Sequence, residues 1–117
     1  MLTAFLDNVQ EAGTISPRRL GLRLHMPVAQ LAKIARLHRN SLSRGKVTPA
    51  TQERLGEIAS IIAKATAVAG DEAKAIIWFK HQPIPGFRGE TAQELVTAGH
   101  GHAVLTYLDQ LNHGIYA

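Results

Sequence analysis

No cysteine occurs in the 117 residues, so disulfides and thiolate metal sites are excluded and the chain suits a reducing cytoplasm. No apolar run approaches the ~20 residues that span a bilayer. The longest candidate, Ile58 to Ala69, is broken by Lys64. The first residues, Met1 to Asp7, lack the basic start of a signal peptide. Catalytic punctuation is also missing. There is no strained Gly-x-Ser-x-Gly turn, no phosphate-binding glycine loop and no close pair of carboxylates. The expectation is a protein that is not an enzyme and carries no cofactor. Six histidines are present, at 25, 38, 81, 100, 102 and 113. His100 and His102 stand two apart beside glycines, with no carboxylate at ligand spacing, so no metal site is expected.

The most informative absence is local. Between Glu11 and Glu53 there is no Asp or Glu, while Arg18, Arg19, Arg23, Lys33, Arg36, Arg39, Arg44 and Lys46 all fall in that interval. Net charge is +4, and the excess sits in the first half. A single-signed block points to a polyanion partner, because each cation placed near a phosphate releases condensed counterions.

Hydrophobic residues make up 45% of the chain, enough for a real core. Nearly all the punctuation suits helices. Ser16-Pro17 reads as an N-cap followed by proline at the first helical position, starting a helix to about Leu24. Pro27 starts the next, with Leu31, Ile34 and Ala35 on one face. The pattern breaks near Arg36–His38, and Gly45 ends a third short helix. Thr48-Pro49 repeats the cap signal and opens a long helix to about Ala69. Along it Leu55, Ile58, Ile62, Ala65 and Ala69 form a narrow seam, serving either a core within one chain or a two-fold dimer. Gly70 stops that helix and Asp71 caps another to about Lys80. Pro83, Pro85, Gly86 and Gly89 force a loop. Thr91 and Glu94 make a capping box for a helix ending at Gly99. A last helix runs from about His102 to His113, with Val104, Leu108 and Leu111 on one face. No segment alternates with period two, so no sheet is expected. The fold class predicted is all-α, divided into an N-terminal helical extension (1–14), a helix-turn-helix unit (15–47) and a helical dimerisation and partner-binding unit (48–117). In the extension, Leu2, Phe5, Leu6 and Val9 fit an amphipathic turn or two.

Val28 to Lys46 fits two short helices joined by a three- or four-residue turn, a helix-turn-helix. Leu31, Ala32, Ala35, Leu37 and Leu42 would pack the pair. Arg39, Asn40, Ser41, Ser43 and Arg44 would face outward with the chemistry of major-groove readers: Arg for guanine, Asn for adenine, Ser for phosphate or a base edge. Lys46, Arg18 and Arg19 would hold the backbone from the flanks. On an ordinary helical pair the same pattern is a solvated basic face. The turn carries Arg36 where glycine is usual. The C-terminal half holds Trp78, Phe79, Phe87, Tyr107 and Tyr116, which serve either as interface anchors or as the core of a small domain.

Within that half, Trp78 precedes a proline-bearing loop. Then follow Gly89-Glu90-Thr91-Ala92-Gln93-Glu94-Leu95-Val96, Thr97-Ala98-Gly99-His100-Gly101, and a closing Gly114-Ile115-Tyr116-Ala117. Together with the preceding basic unit this resembles the antitoxins of the RES–Xre type, the family that includes the MbcA and ParS antitoxins. One departure is Ala92, where many members have proline. The resemblance implies an Xre-like helix-turn-helix followed by a toxin-binding domain. It also implies a RES-domain toxin as partner, an enzyme that degrades NAD or transfers its ADP-ribose. The antitoxin would cover the entrance to that toxin's active site, with Trp78, Phe79, Phe87, Arg88, Gly114, Ile115, Tyr116 and Ala117 as contact residues. Operator DNA would be the second partner, and a homodimer within a toxin–antitoxin assembly the expected state. The competing expectations are a free-standing helix-turn-helix regulator without a toxin and a nucleic-acid binder without sequence choice.

Overall fold

A computed structural model describes residues 2–11, 13–38 and 48–114, with the side chains of residues 2 and 3 left aside. The described residues form α1 (Leu2–Val9), a hairpin of β1 (Gln10–Glu11) and β2 (Thr14–Ile15), α2 (Pro17–Leu24), α3 (Val28–Ile34), α4 (Pro49–Ala69), α5 (Glu72–His81), α6 (Ala92–Thr97) and α7 (Gly101–Asn112). The fold is all-α apart from that small hairpin.

The helix boundaries follow from local chemistry. The Ser16 hydroxyl accepts from the Arg19 amide at 3.2 Å, with Pro17 at the first helical position. Thr48 caps α4 through the Thr51 amide, and Gly70 at φ 87° ends it. Asp71 caps α5 through the Lys74 amide at 2.8 Å. The capping box is complete: the Thr91 amide donates to Glu94 and the Glu94 amide donates to the Thr91 hydroxyl.

α4 is the axle of the fold. α1, α5 and α7 pack around it, and β2 touches it as well. Burial on α4 therefore extends beyond a narrow seam. Ala59, Ile61 and Ala63 are buried together with Leu55, Ile58, Ile62 and Ala65, while Ala69 is exposed. A helix with neighbours on several sides is apolar around most of its circumference, and a single stripe understates it. The seam is thus consumed inside the chain. One continuous cluster of buried side chains runs from Phe5 and Val9 through Leu20, Leu31 and Ile58 to Phe79, Val96 and Leu108.

Two features depart from the sequence reading. Residues 10–15 form a two-stranded antiparallel hairpin in which Gln10 pairs with Ile15 and Glu11 with Thr14. The exposed edge of β2 is satisfied by a side chain: the Ile15 amide donates to the Gln52 Oε1 at 2.8 Å, and the Gln52 Nε2 donates to the Ile15 carbonyl at 2.9 Å. An amide group of α4 thus does the work of a third strand. The N-terminal segment also packs within its own chain, with Phe5 and Val9 buried against the core.

Candidate functional site

The basic unit is built from α2 and α3. Three of its eight cations are engaged inside the chain. Arg19 donates to the Gln10 carbonyl at 2.9 Å and lies 3.5 Å from the Glu11 carboxylate. Arg23 pairs with both carboxylate oxygens of Glu72 and sits over the Phe5 ring, 5.8 Å from its centroid. Hydrogen bonding to Glu72 raises the Arg23 pKa above its ordinary value, against a smaller lowering by burial. Arg36 donates to the Val96 carbonyl. Arg18 and Lys33 are exposed. Arg39, Asn40, Ser41, Ser43, Arg44 and Lys46, and with them the second helix of the expected motif, lie outside the described residues. What is described is the first helix and its exit. Leu31, Ala32 and Ala35 are buried and Leu37 is half-buried.

That exit is a Schellman motif. The Arg36 amide donates to the Lys33 carbonyl at 3.1 Å and the Leu37 amide to the Ala32 carbonyl at 2.8 Å. Such a motif needs a left-handed residue, and Arg36 supplies it at φ 58° where the sequence pattern has no glycine.

In the C-terminal half the aromatic residues separate. Phe79 is fully buried. It is a core residue with no surface to offer a partner, a correction to its expected contact role: on α5 it falls on the inward stripe with Ala75 and Ile76. Trp78 and Phe87 are half-buried. Phe87 lies in the Pro83–Gly89 loop and lines a groove of about 730 Å³ against α7, together with Pro85, Ala103, Thr106, Tyr107 and Leu111. No ionisable group except the Tyr107 phenol lines this groove. Arg88 stands beside it, exposed, at φ 56° between Gly86 at φ 85° and Gly89 at φ 80°. Gly114 is exposed at φ 77°, and Ile115, Tyr116 and Ala117 lie outside the described residues.

The sequence reading placed Val104, Leu108 and Leu111 on one face of the last helix. Val104 and Leu108 are indeed buried, whereas Leu111 joins Ala103 and Tyr107 on the groove. The signal available was this second stripe at i, i+4 and i+8. Two further contacts escaped sequence reading. Lys64 of α4 pairs with Asp109 of α7 at 2.5 Å. The Glu57 carboxylate also lies against Gly101, the first residue of α7, so closely that a Cβ there would meet its Oε1 at 2.0 Å. It sits at a helix N-terminus that has no side-chain cap, where negative charge is favoured.

All six histidines are exposed, and no group of three or more possible metal ligands occurs among the described residues. Among the same residues no helix is long and apolar enough to cross a membrane.

Residues 64–114 match the family model for the antitoxin Xre/MbcA/ParS C-terminal toxin-binding domain. The matched interval opens at Lys64 and takes in α5, α6, α7 and the whole loop between α5 and α6. It supports an antitoxin of this family and implies a toxin partner. No curated protein and no solved structure matches the chain.

Proposed function

We propose that this chain is the antitoxin of a type II toxin–antitoxin system: it occludes the active site of an NAD-consuming RES-domain toxin and represses its own operon in the cytoplasm. The observation that carries the toxin-binding part is the position of the apolar groove. Every residue lining it falls within the interval matched to a toxin-binding domain. Burying the Phe87, Tyr107 and Leu111 surfaces against a partner supplies the non-directional part of the affinity. Arg88, exposed beside the groove, supplies a charged contact to a carboxylate. Beyond Gly114, the residues Ile115, Tyr116 and Ala117 with the terminal carboxylate enter the toxin's nucleotide pocket, the carboxylate meeting a cation that otherwise holds NAD phosphate.

The DNA-binding part rests on the acid-free interval. Arg18 and Lys33 remain exposed in it, and Arg39, Asn40, Ser41, Ser43, Arg44 and Lys46 carry the base- and phosphate-directed chemistry. Because the α4 seam is used within the chain, the homodimer forms through another face.

The test is co-expression with the toxic product of the adjacent gene, followed by purification and an NAD-consumption assay. The expected result is a stoichiometric complex that consumes no NAD, with inhibition weakened on deletion of Ile115–Ala117. A chain that purifies alone while the toxin stays active overturns the proposal.

A further inference from the structure

Two helix C-termini meet at one guanidinium. α3 ends in the Schellman motif of Arg36. α6 ends in another, in which the Gly99 amide donates to the Val96 carbonyl at 3.0 Å and the His100 amide to the Leu95 carbonyl at 2.8 Å. The ends face each other: α3 packs on α6, and a Cβ on Gly99 would lie 4.0 Å from the Arg36 Nε. Both present carbonyl groups without intrahelical partners and the negative end of a dipole, so their approach calls for a cation between them. Arg36 provides it by donating to the Val96 carbonyl. From a third direction Arg54 of α4 donates to the Arg36 carbonyl.

Glycine would fit the left-handed backbone of Arg36 without steric cost. The backbone therefore gives no reason for an arginine here, and the side chain does. Its contact ends on the short turn between α6 and α7. Just past that turn, His100 and Ala103 line a second cavity, of about 320 Å³, that also touches Phe87 and Arg88. Arg36 also stands directly before the exit toward residues 39–47.

We infer that Arg36 is a positioning residue that couples the two binding faces, transmitting occupancy of the α7 groove to the turn that aims the DNA-reading segment. The inference rests on the function proposed above. The two-state element is the Arg36–Val96 contact: a partner that shifts the α6–α7 turn makes or breaks it, and the Leu37 amide bond to Ala32 is strained or relaxed with it. By reciprocity, DNA alters toxin affinity by the same factor.

The experiment uses the full chain, its co-expressed toxin, and a duplex spanning the region upstream of its own gene. In the wild type, toxin changes duplex affinity by about fivefold or more and changes the hydrogen-exchange rate of the Leu37 amide. In Arg36→Gly, whose turn is relaxed, toxin and duplex each bind within about twofold of wild type, and the toxin-induced changes in duplex affinity and Leu37 exchange disappear. Arg36→Lys, which keeps one charged donor, restores part of the coupling. If the complex forms and the coupling is absent from the wild type or intact in Arg36→Gly, the inference is overturned and the antitoxin reading stands. If no toxin complex forms, both fall. If toxin is bound but the duplex is not, DNA recognition and the inference fall while toxin binding stands.

Discussion

Arg23 and Glu72, separated by 49 positions, form a two-point ion pair that fastens α2 to the first turn of α5. The same guanidinium covers the Phe5 ring, so one side chain holds three elements. The pair is partly exposed, which limits its energy. Arg23→Ala should destabilise the chain by about 1 kcal/mol, lowering the melting temperature by about 4 °C. The loss should shrink in high salt, and a second change, Glu72→Gln, should add little to it.

Glu57 and Gly101 offer a second double-mutant cycle. Gly101→Ala expels the carboxylate from the start of α7, because the new Cβ would occupy its place. Loss of that charge at the helix N-terminus should cost roughly 0.3–1 kcal/mol, partly offset by the better helix propensity of alanine. Glu57→Gln should destabilise the wild type and leave Gly101→Ala unaffected. Denaturant midpoints of the four proteins measure the coupling.

The six-residue α6 depends on its cap. Thr91 is buried and joined to Glu94 by both capping-box hydrogen bonds. Thr91→Ala should cost about 1 kcal/mol, and Thr91→Ser should retain most of the stability. Hydrogen exchange of the Glu94 amide would localise the effect to this helix.

The aromatic residues of the C-terminal half should divide by role. Phe79→Ala opens a cavity in the core and should cost roughly 3–5 kcal/mol, a large share of the stability of a domain this size. Phe87→Ala and Leu111→Glu should melt within about 2 °C of wild type, since both side chains are partly exposed, and should weaken the toxin complex at least about tenfold. Paired melting curves and affinity measurements separate the two groups.

These contrasts mark what sequence could and could not reveal. Ser16-Pro17, Thr48-Pro49, Asp71 and Thr91 with Glu94 were legible because a cap is a bond between residues three apart. The axle, α4, was legible in its bounds but not in the breadth of its buried face, since that depends on how many neighbours close around it. Two residues per strand leave no alternation to detect, and the edge of β2 is completed by Gln52 from a distant helix. The acid-free interval was plain, yet Glu72 lies beyond it in sequence and beside Arg23 in space. Counting charge along the chain therefore overstated the free charge of the block. At Arg36, the missing glycine looked like a defect of the turn. In three dimensions the residue lies between two helix ends, a relationship that no local pattern encodes. The groove was legible only in part: Phe87 and the proline loop stood out, whereas the Ala103–Tyr107–Leu111 stripe was masked by the stronger buried stripe beside it.

The arrangement around α4 has a consequence for the life of the protein in a cell. Hairpin, α1, α5 and α7 all lean on that one rod, and the buried cluster crosses from the first helix to the last without interruption. A protease that cuts within α4 leaves neither half with enough interior to persist. Degradation would then abolish neutralisation and promoter silencing in a single event, so freed toxin and renewed transcription would arise together.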